Sequence, residues 1–338
     1  MKSIMINKPG DVEIKEVEAP KPGPGEALLK VLYGGICGSD LGTYRGTFAY
    51  VTYPRTPGHE LSAEIVEIGE NDKGLKAGMV VTCNPYFNCQ SCYTCRKGRV
   101  NCCTTNETMG VQREGGFAEY ITMPIERIYD GKGLSPKSLA LIEPFCISYH
   151  GISRADIQPG DKVLIVGAGT IGVLAAMAAK NKGAIVYIAD IEEEKLEYAV
   201  KEFQLDGAIL NRGEDFERLV HQATDGDGFD VAVEAVGLPS TFQNCIDAVT
   251  FGGTVVLIGV GKRNLDFNFT MIQKKELSIF GSRNALRKDF EELIDVVKSG
   301  NINLDKIVTN TYKMDEAKKA FEDYDKNAGS MLKVLLEF

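Results

Sequence analysis

Residues Val163-Leu-Ile-Val-Gly-Ala-Gly-Thr-Ile-Gly172 constrain this chain more than any other stretch. Four consecutive apolar residues, Val163 to Val166, read as a strand buried on both faces. Gly167, Gly169 and Gly172 then spell G-x-G-x-x-G, and Val173–Lys180 continues as an Ala-rich helix. Gly167 permits a tight turn, Gly169 lets backbone approach a pyrophosphate, and Gly172 lets helix and strand pack closely. Thr170 and Ile171 fall at the helix N-terminus, where free N–H groups and the positive dipole end favour phosphate. A second strand, Ala184–Ala189, ends in Asp190, about 20 residues beyond Gly167, where an acid bonds a ribose 2′-hydroxyl and repels a 2′-phosphate. The stretch therefore predicts a dinucleotide site that prefers NAD to NADP. A flexible glycine loop between core strands would leave Asp190 unexplained.

The alternation of strand and helix runs from Asp161 to about Gly281. Strands are predicted at Val163–Val166, Ile185–Ala189, Gly207–Leu210, Phe229–Glu234, Thr254–Ile258 and Leu277–Phe280. That order means a doubly wound parallel sheet. Glu234 to Gly237 and Gly259 to Gly261 end adjacent strands and are expected to line the cofactor cleft. Arg283, past the last strand, is a candidate for substrate or cofactor, with a surface or interface role weighing equally.

The first part of the chain reads differently. Ser3–Asn7 and Val12–Val17 pair around Pro9-Gly10-Asp11, and further strands follow at Glu26–Tyr33, Leu61–Ile68, Val80–Cys83 and Gly116–Met123. Many short strands with Gly/Pro turns indicate a compact β domain. Gly34–Asp40 reads as a polar, flexible segment ending a strand. Ser135–Ala140 begins a helical stretch, with a break or new start at Glu143-Pro144. Beyond an amphipathic helix at Phe290–Lys298, the segments Ile307–Tyr312, Asp315–Tyr324 and Leu332–Phe338 read strand, helix, strand. They have no parallel-sheet partner left, so the tail is expected to rejoin the first domain.

Net charge −9 argues against nucleic acid or an anionic membrane as the main partner. Met1–Gly10 has no apolar core of signal-peptide length, and no apolar run reaches roughly 18 residues. A cytoplasmic protein is expected, in which nine cysteines point to metal or catalysis rather than disulfides.

Asn84–Thr105 holds Cys89, Cys92, Cys95, Cys102 and Cys103 in a polar lobe short of aliphatic residues. Such a lobe buries little apolar surface and needs a staple. Cys89-x-x-Cys92-x-x-Cys95 with a fourth thiolate suits a closed tetrahedral Zn2+ site that folds the lobe. Chemistry alone leaves Cys102 and Cys103 as alternatives for the fourth. Cys37, His59 and Glu60 form a second set. Catalytic zinc keeps three protein ligands and an open position. Asp40 is a candidate partner for the other ring nitrogen of His59. Glu143 is a candidate further ligand, or an acid holding the zinc-bound water, and whether Glu60 or Glu143 takes the third place is left open. His150, read as packing at a helix start, and His221, read as a solvated helix residue, are structural.

On these residues the chain resembles the zinc-dependent medium-chain dehydrogenases across essentially its whole length. The matching motifs are Gly35-Ile-Cys-Gly-Ser-Asp40, Gly58-His-Glu60, the Cys89/Cys92/Cys95/Cys103 lobe, Gly115-Gly-Phe-Ala-Glu-Tyr120, Glu143-Pro144 and the Gly167–Gly172 fingerprint. The resemblance implies an α/β protein with a discontinuous GroES-like catalytic domain over 1–147 and 288–338. A Rossmann NAD-binding domain over 148–287 completes it, with the active site in the cleft between. Family spacing selects Cys103 over Cys102. It implies one catalytic and one structural Zn2+, NAD, and a homodimer or homotetramer built through Rossmann sheet edges. Glu143-Pro144 resembles the polyol and threonine dehydrogenase branch. Tyr53-Pro-Arg-Thr-Pro-Gly-His-Glu60, Leu141-Ile-Glu-Pro-Phe145 and Lys274-Lys-Glu276 with Gly281-Ser-Arg-Asn-Ala285 are similar to bacterial hexonate dehydrogenases.

The implied reaction is reversible oxidation of a secondary alcohol, with zinc as Lewis acid, Ser39 accepting the proton and NAD the hydride. The substrate expected is a polyol or sugar acid such as L-galactonate or L-gulonate. Sorbitol, galactitol phosphate and threonine are the near alternatives. Arg45 and Arg113 are candidates for a substrate carboxylate, with solvated side chains the stronger reading. A non-enzymatic zinc or redox-responsive binding module is the alternative of another class. One departure from the family stands out. Where many members carry a proton-relay histidine five residues after the ligand cysteine, this chain has Gly42.

Overall fold

The computed structural model describes residues 1–212, 215–261 and 263–338. The chain divides into two compact units, Met1–Glu143 with Leu286–Phe338, and Pro144–Ala285.

The second unit is built on six parallel strands: Lys162–Val166, Ile185–Asp190, Gly207–Leu210, Phe229–Glu234, Val249–Leu257 and Ser278–Gly281. Their spatial order is 3-2-1-4-5-6 in chain numbering. This is the Rossmann order, with its switch point between the first and fourth strands. Runs such as Val163–Val166 and Val231–Val233 are buried throughout, as strands covered on both faces must be. Helices Thr170–Asn181, Glu193–Phe203, Asp215–Thr224 and Pro239–Ala248 alternate with the strands. The fifth strand starts five residues earlier than its apolar run, at Val249 rather than Thr254. The glycines of Phe251-Gly-Gly253 conceal it in the sequence, and its register shifts there.

The first unit is the part for which the resemblance implies a GroES-like domain, and it is rich in β-structure. Its main sheet runs Val308–Lys313, Lys333–Glu337, Glu26–Ile36, Glu60–Ile68, Val80–Cys83 and Ile128–Asp130, with Tyr120–Pro124 also pairing with Glu26–Ile36. Ile4, Leu29, Val31, Ile65, Val81, Met123 and Phe321 fill its core at 0% exposure. The tail does rejoin this unit. Lys333–Glu337 pairs antiparallel with Tyr33–Ile36. Yet the tail also carries a parallel pair of its own, because Val308–Lys313 lies parallel to Lys333–Glu337 across the helix Ala317–Asn327. Tyr129 stacks on Phe290 at 5.0 Å, fixing the helix Arg287–Lys298.

Two local expectations are corrected. Gly34–Asp40 is not a flexible segment: the strand continues to Ile36 and a helix begins at Gly38 and runs to Arg45. Pairing on both sides holds the glycines extended. The strand expected over Gly116–Met123 is confined to Tyr120–Pro124. Gly115 is instead pressed against Pro57, where an added Cβ would lie 2.2 Å from the Pro57 carbonyl oxygen. Among the described residues no helix is long and apolar enough to cross a membrane.

Candidate active site and metal centres

Cys37 stands between the end of the strand Glu26–Ile36 and the first turn of the helix Gly38–Arg45. His59 and Glu60 stand at the start of the adjacent strand, where Glu60 pairs with Gly35. Register therefore brings three donors together although they are distant in sequence. Their ligand atoms all lie within 4.8 Å of one another.

Asp40 joins the two loops that carry them. Its Oδ2 accepts the Cys37 N–H at 2.9 Å and its Oδ1 accepts the Gly58 N–H at 3.2 Å. It does not hydrogen-bond His59 as the sequence suggested: Nδ1 is 4.0 Å from Oδ1 and is buried without a partner. The carboxylate is committed to backbone donors, as an acid in the first turn of a helix commonly is. Burial is the main reason the Asp40 pKa rises.

Glu60 is met by a residue that the sequence reading missed. Lys333 Nζ lies 2.7 Å from both Glu60 oxygens, and both side chains are almost fully buried. The two reach each other across the central strand at Gly35, where an added Cβ would fall 2.0 Å from Glu60 Oε2. Burial opposes a charge on Lys333, but Glu60 and Cys37 outweigh it and raise its pKa.

Glu143 is the second residue of the helix Ile142–Arg154 and is 2% exposed. It lies outside the converging set of three. The Tyr86 hydroxyl donates to its Oε1. Burial, assisted by Glu60 and opposed by His59, raises its pKa to about 7. Burial also opposes a proton on His59. Even so, Cys37, Asp40 and Glu143 raise its pKa well above the usual imidazole value. A pocket that draws protons onto its imidazole carries surplus negative charge. The thiol, imidazole and carboxylate donors, converging within one set, fit a divalent zinc ion.

Ser39 sits in the first turn of the helix Gly38–Arg45, half-buried. Gly42 lies in the same helix, and an added Cβ would meet Phe48 Cβ at 3.2 Å. A histidine there would crowd Phe48, so the departure at Gly42 is built into the packing. Arg45 is paired with Asp325, and Arg113 lies 3.4 Å from Glu107 with its guanidinium 3.9 Å from the Phe87 ring centre. His150 is inside the helix Ile142–Arg154, not at its start, and buried; His221 is exposed, 4.0 Å from Glu217.

The second set comprises Cys89, Cys92, Cys95 and Cys103, with sulfurs within 4.8 Å of one another. Cys103, not Cys102, is the fourth member. Backbone N–H groups of Cys89 and Cys92 point at the Cys103 and Cys89 sulfurs, each at 3.3 Å. Such donors stabilise thiolates. Four convergent thiols match a closed structural zinc site.

In the second unit, Gly167 has φ +112°, and an added Cβ at Gly172 would lie 1.8 Å from the Gly167 carbonyl oxygen. At Gly169 an added Cβ meets nothing within 4 Å. Its lack of a side chain serves open space in front of the loop, which fits a pyrophosphate held at Thr170, Ile171 and Gly172. Asp190 accepts the Ala168 N–H at 2.7 Å and the Glu192 N–H at 3.0 Å, tying the second strand to the glycine loop. Glu234 is only 3% exposed. Its Oε1 accepts from Val236 N, Gly237 N and Thr241 Oγ1 at 2.6 to 2.9 Å, so it braces the loop that follows the strand. Gly259 closes on it, with an added Cβ 2.4 Å from Glu234 Oε2. Arg283 follows the last strand, just past Gly281.

Residues 23–132 match the alcohol dehydrogenase GroES-like domain and residues 170–299 the zinc-binding dehydrogenase domain. L-galactonate-5-dehydrogenase of Escherichia coli K12 is 36% identical over 338 residues, covering 100% of this chain and 99% of its own. Sorbitol dehydrogenase of Halalkalibacterium halodurans is 34% identical, covering 97% and 96%. Among solved structures, the alcohol dehydrogenase rspB of E. coli CFT073, complexed with NADH, superimposes with a TM-score of 0.93 at 33% identity, covering 100% and 99%.

Proposed function

Because the chain belongs to the zinc-dependent alcohol dehydrogenase family and is thus an oxidoreductase, we propose that it oxidises the secondary alcohol of a sugar acid to a ketone with NAD. L-galactonate or L-gulonate is the substrate class. The observation that carries this reading is the convergence of Cys37, His59 and Glu60 in one buried pocket, separate from the four-thiol lobe.

In this reading Cys37, His59 and Glu60 hold the catalytic zinc, and Cys89, Cys92, Cys95 and Cys103 the structural one. Bound zinc supplies Lewis acidity to the alcohol oxygen, and NAD accepts the hydride. The chain's own residues do the rest. Asp40 fixes the two ligand loops against each other. Lys333 neutralises Glu60 so that the set is not over-charged. Ser39 relays the proton, releasing its own hydroxyl proton as it accepts one, and because Gly42 offers no acceptor the relay ends in water or another group. Gly167, Gly169, Thr170, Ile171 and Gly172 hold the pyrophosphate and Asp190 the ribose. Glu234, Gly237 and Gly259 shape the neighbouring loops, and Arg283 stands by the cofactor.

The relative named for L-galactonate supports the sugar acid. One observation favours a second reading, a neutral polyol such as sorbitol. Arg45 and Arg113, the cations considered for a substrate carboxylate, are both engaged by acids of the chain itself. A cytoplasmic location suits nine cysteines with no disulfide among them. A homodimer or homotetramer suits the edge position of Ser278–Gly281 in its sheet.

The test is NADH formation by the zinc-loaded protein with L-galactonate, L-gulonate, sorbitol, galactitol phosphate and L-threonine. Turnover of a hexonate that is abolished by Cys37→Ala supports the reading. Turnover of sorbitol without hexonates replaces the substrate and keeps the chemistry.

A further inference from the structure

A further acid stands beside the donor set of the first unit without joining it. Cys37, His59 and Glu60 already converge. Glu143 is buried in electrostatic contact with His59, Glu60 and Lys333. Four protein ligands would close a zinc site, whereas a catalytic one needs an open position. Something must keep the Glu143 carboxylate back. The Tyr86 hydroxyl donates to Glu143 Oε1, and Tyr86 is itself 7% exposed.

Tyr86 is held rigidly. Its N–H donates to Asn84 Oδ1 at 2.9 Å, and its carbonyl accepts from Arg127. It pairs with Thr108 in a short antiparallel ladder. Arg127 also donates to Asn88 Oδ1 at 3.1 Å, and its guanidinium lies 4.6 Å from the Phe87 ring centre. Cys89, the first thiol of the lobe, follows directly in the chain.

We propose that Tyr86 is a positioning residue that holds Glu143 off the catalytic metal, so that the fourth position stays open for substrate. The proposal rests on the reading that Cys37, His59 and Glu60 hold that metal. Its basis is general: groups behind a metal site orient the donors, and losing one costs about 10- to 100-fold in affinity or activity. The frame that fixes Tyr86 is the root of the thiolate lobe, so the lobe steadies the catalytic pocket through this hydroxyl.

The experiment uses the intact protein with cobalt in place of the catalytic zinc, read by its visible spectrum and by turnover. In Tyr86→Phe, Glu143 is released to the metal. The cobalt bands shift as a carboxylate replaces solvent at the fourth position, and kcat falls about 10- to 100-fold with the metal content unchanged. Tyr86→Phe/Glu143→Gln regains the parent spectrum. A parent spectrum in Tyr86→Phe, or a double variant that keeps the Tyr86→Phe spectrum, overturns the proposal. Should Tyr86→Phe fail to fold, Glu143→Gln alone decides. An unchanged cobalt spectrum supports a carboxylate held off the metal, and an altered one overturns it. The underlying reading fails separately. A wild-type protein that takes up one metal only, or a Cys37→Ala variant that retains two, removes the catalytic metal before Tyr86 is touched and overturns both.

Discussion

Lys333 Nζ and the Glu60 carboxylate meet at 2.7 Å, fully enclosed and 273 positions apart in sequence. A buried pair of this kind adds little stability over an apolar substitute, but losing one partner strands a charge. Lys333→Met is expected to cost about 3–5 kcal/mol in denaturant unfolding. Lys333→Met/Glu60→Gln recovers most of that loss, because neither charge is then left alone. Additive losses in the double variant would refute a dependence of each charge on the other.

Asp40 supports the site without being placed as a ligand. Asp40→Asn keeps the shape but replaces one acceptor oxygen with an amide donor that faces a backbone N–H. The expected loss is about 1–3 kcal/mol in stability. Zinc affinity at the Cys37 site should weaken about 10- to 100-fold, measured by competition with a chelator. Zinc in the four-cysteine lobe should be retained. Equal loss from both sites would show a global effect.

The thiols of the lobe differ in acidity. Hydrogen bonds from Ser91 and Thr105 lower Cys89 to about 6, and the Thr94 hydroxyl with backbone donors lowers Cys92 to about 5. Burial raises Cys95 to about 12. A depressed thiol pKa means the thiolate persists above that value and is lost as pH falls through it. In zinc-free protein at neutral pH, iodoacetamide should therefore modify Cys89 and Cys92 ahead of Cys95. Their rates should decline from pH 7 towards pH 5, followed by peptide mass spectrometry. Zinc should protect these three and Cys103 alike.

Gly172→Ala forces a methyl against the Gly167 carbonyl, 1.8 Å away in the present geometry. Overpacking of this kind costs about 1–3 kcal/mol. The shift falls on the loop proposed to hold the pyrophosphate, so NADH affinity, measured by fluorescence titration, should fall more than stability does. Gly169→Ala, which meets no protein atom, should spare stability and still weaken NADH binding. Unchanged binding in both variants would remove the phosphate role from this loop.

Local pattern made much of this legible. The run Val163–Val166, the glycines after it and Asp190 belong to one short stretch, so strand, turn and helix could be read together. The thiol spacing from Cys89 to Cys95 is similarly local. What escaped was non-local. Lys333 sits in the run Leu332–Leu336, and a lone lysine inside buried strand residues was the available sign that it has an acidic partner. Tyr86 gave no such sign, because the strand Tyr86–Phe87 meets Glu143 of the helix Ile142–Arg154 only in the fold. Asp40 was placed near His59 correctly, but its oxygens bond Cys37 and Gly58 backbone, a detail set by helix capping. Glu234 stands at a strand end, and the three donors on one of its oxygens come from a loop conformation and a helix that the sequence pattern does not show.

The strand Lys333–Glu337 lies beside Glu26–Ile36, so the counter-charge of Glu60 comes from the far side of the whole nucleotide-binding unit in sequence. During synthesis the ribosome makes Cys37, His59 and Glu60 long before it makes Lys333. Until then Glu60 lacks the cation that the folded unit gives it. In the proposed reading the centre is complete only once this strand is in place, and a truncation that removes it is expected to weaken metal binding as loss of a ligand would.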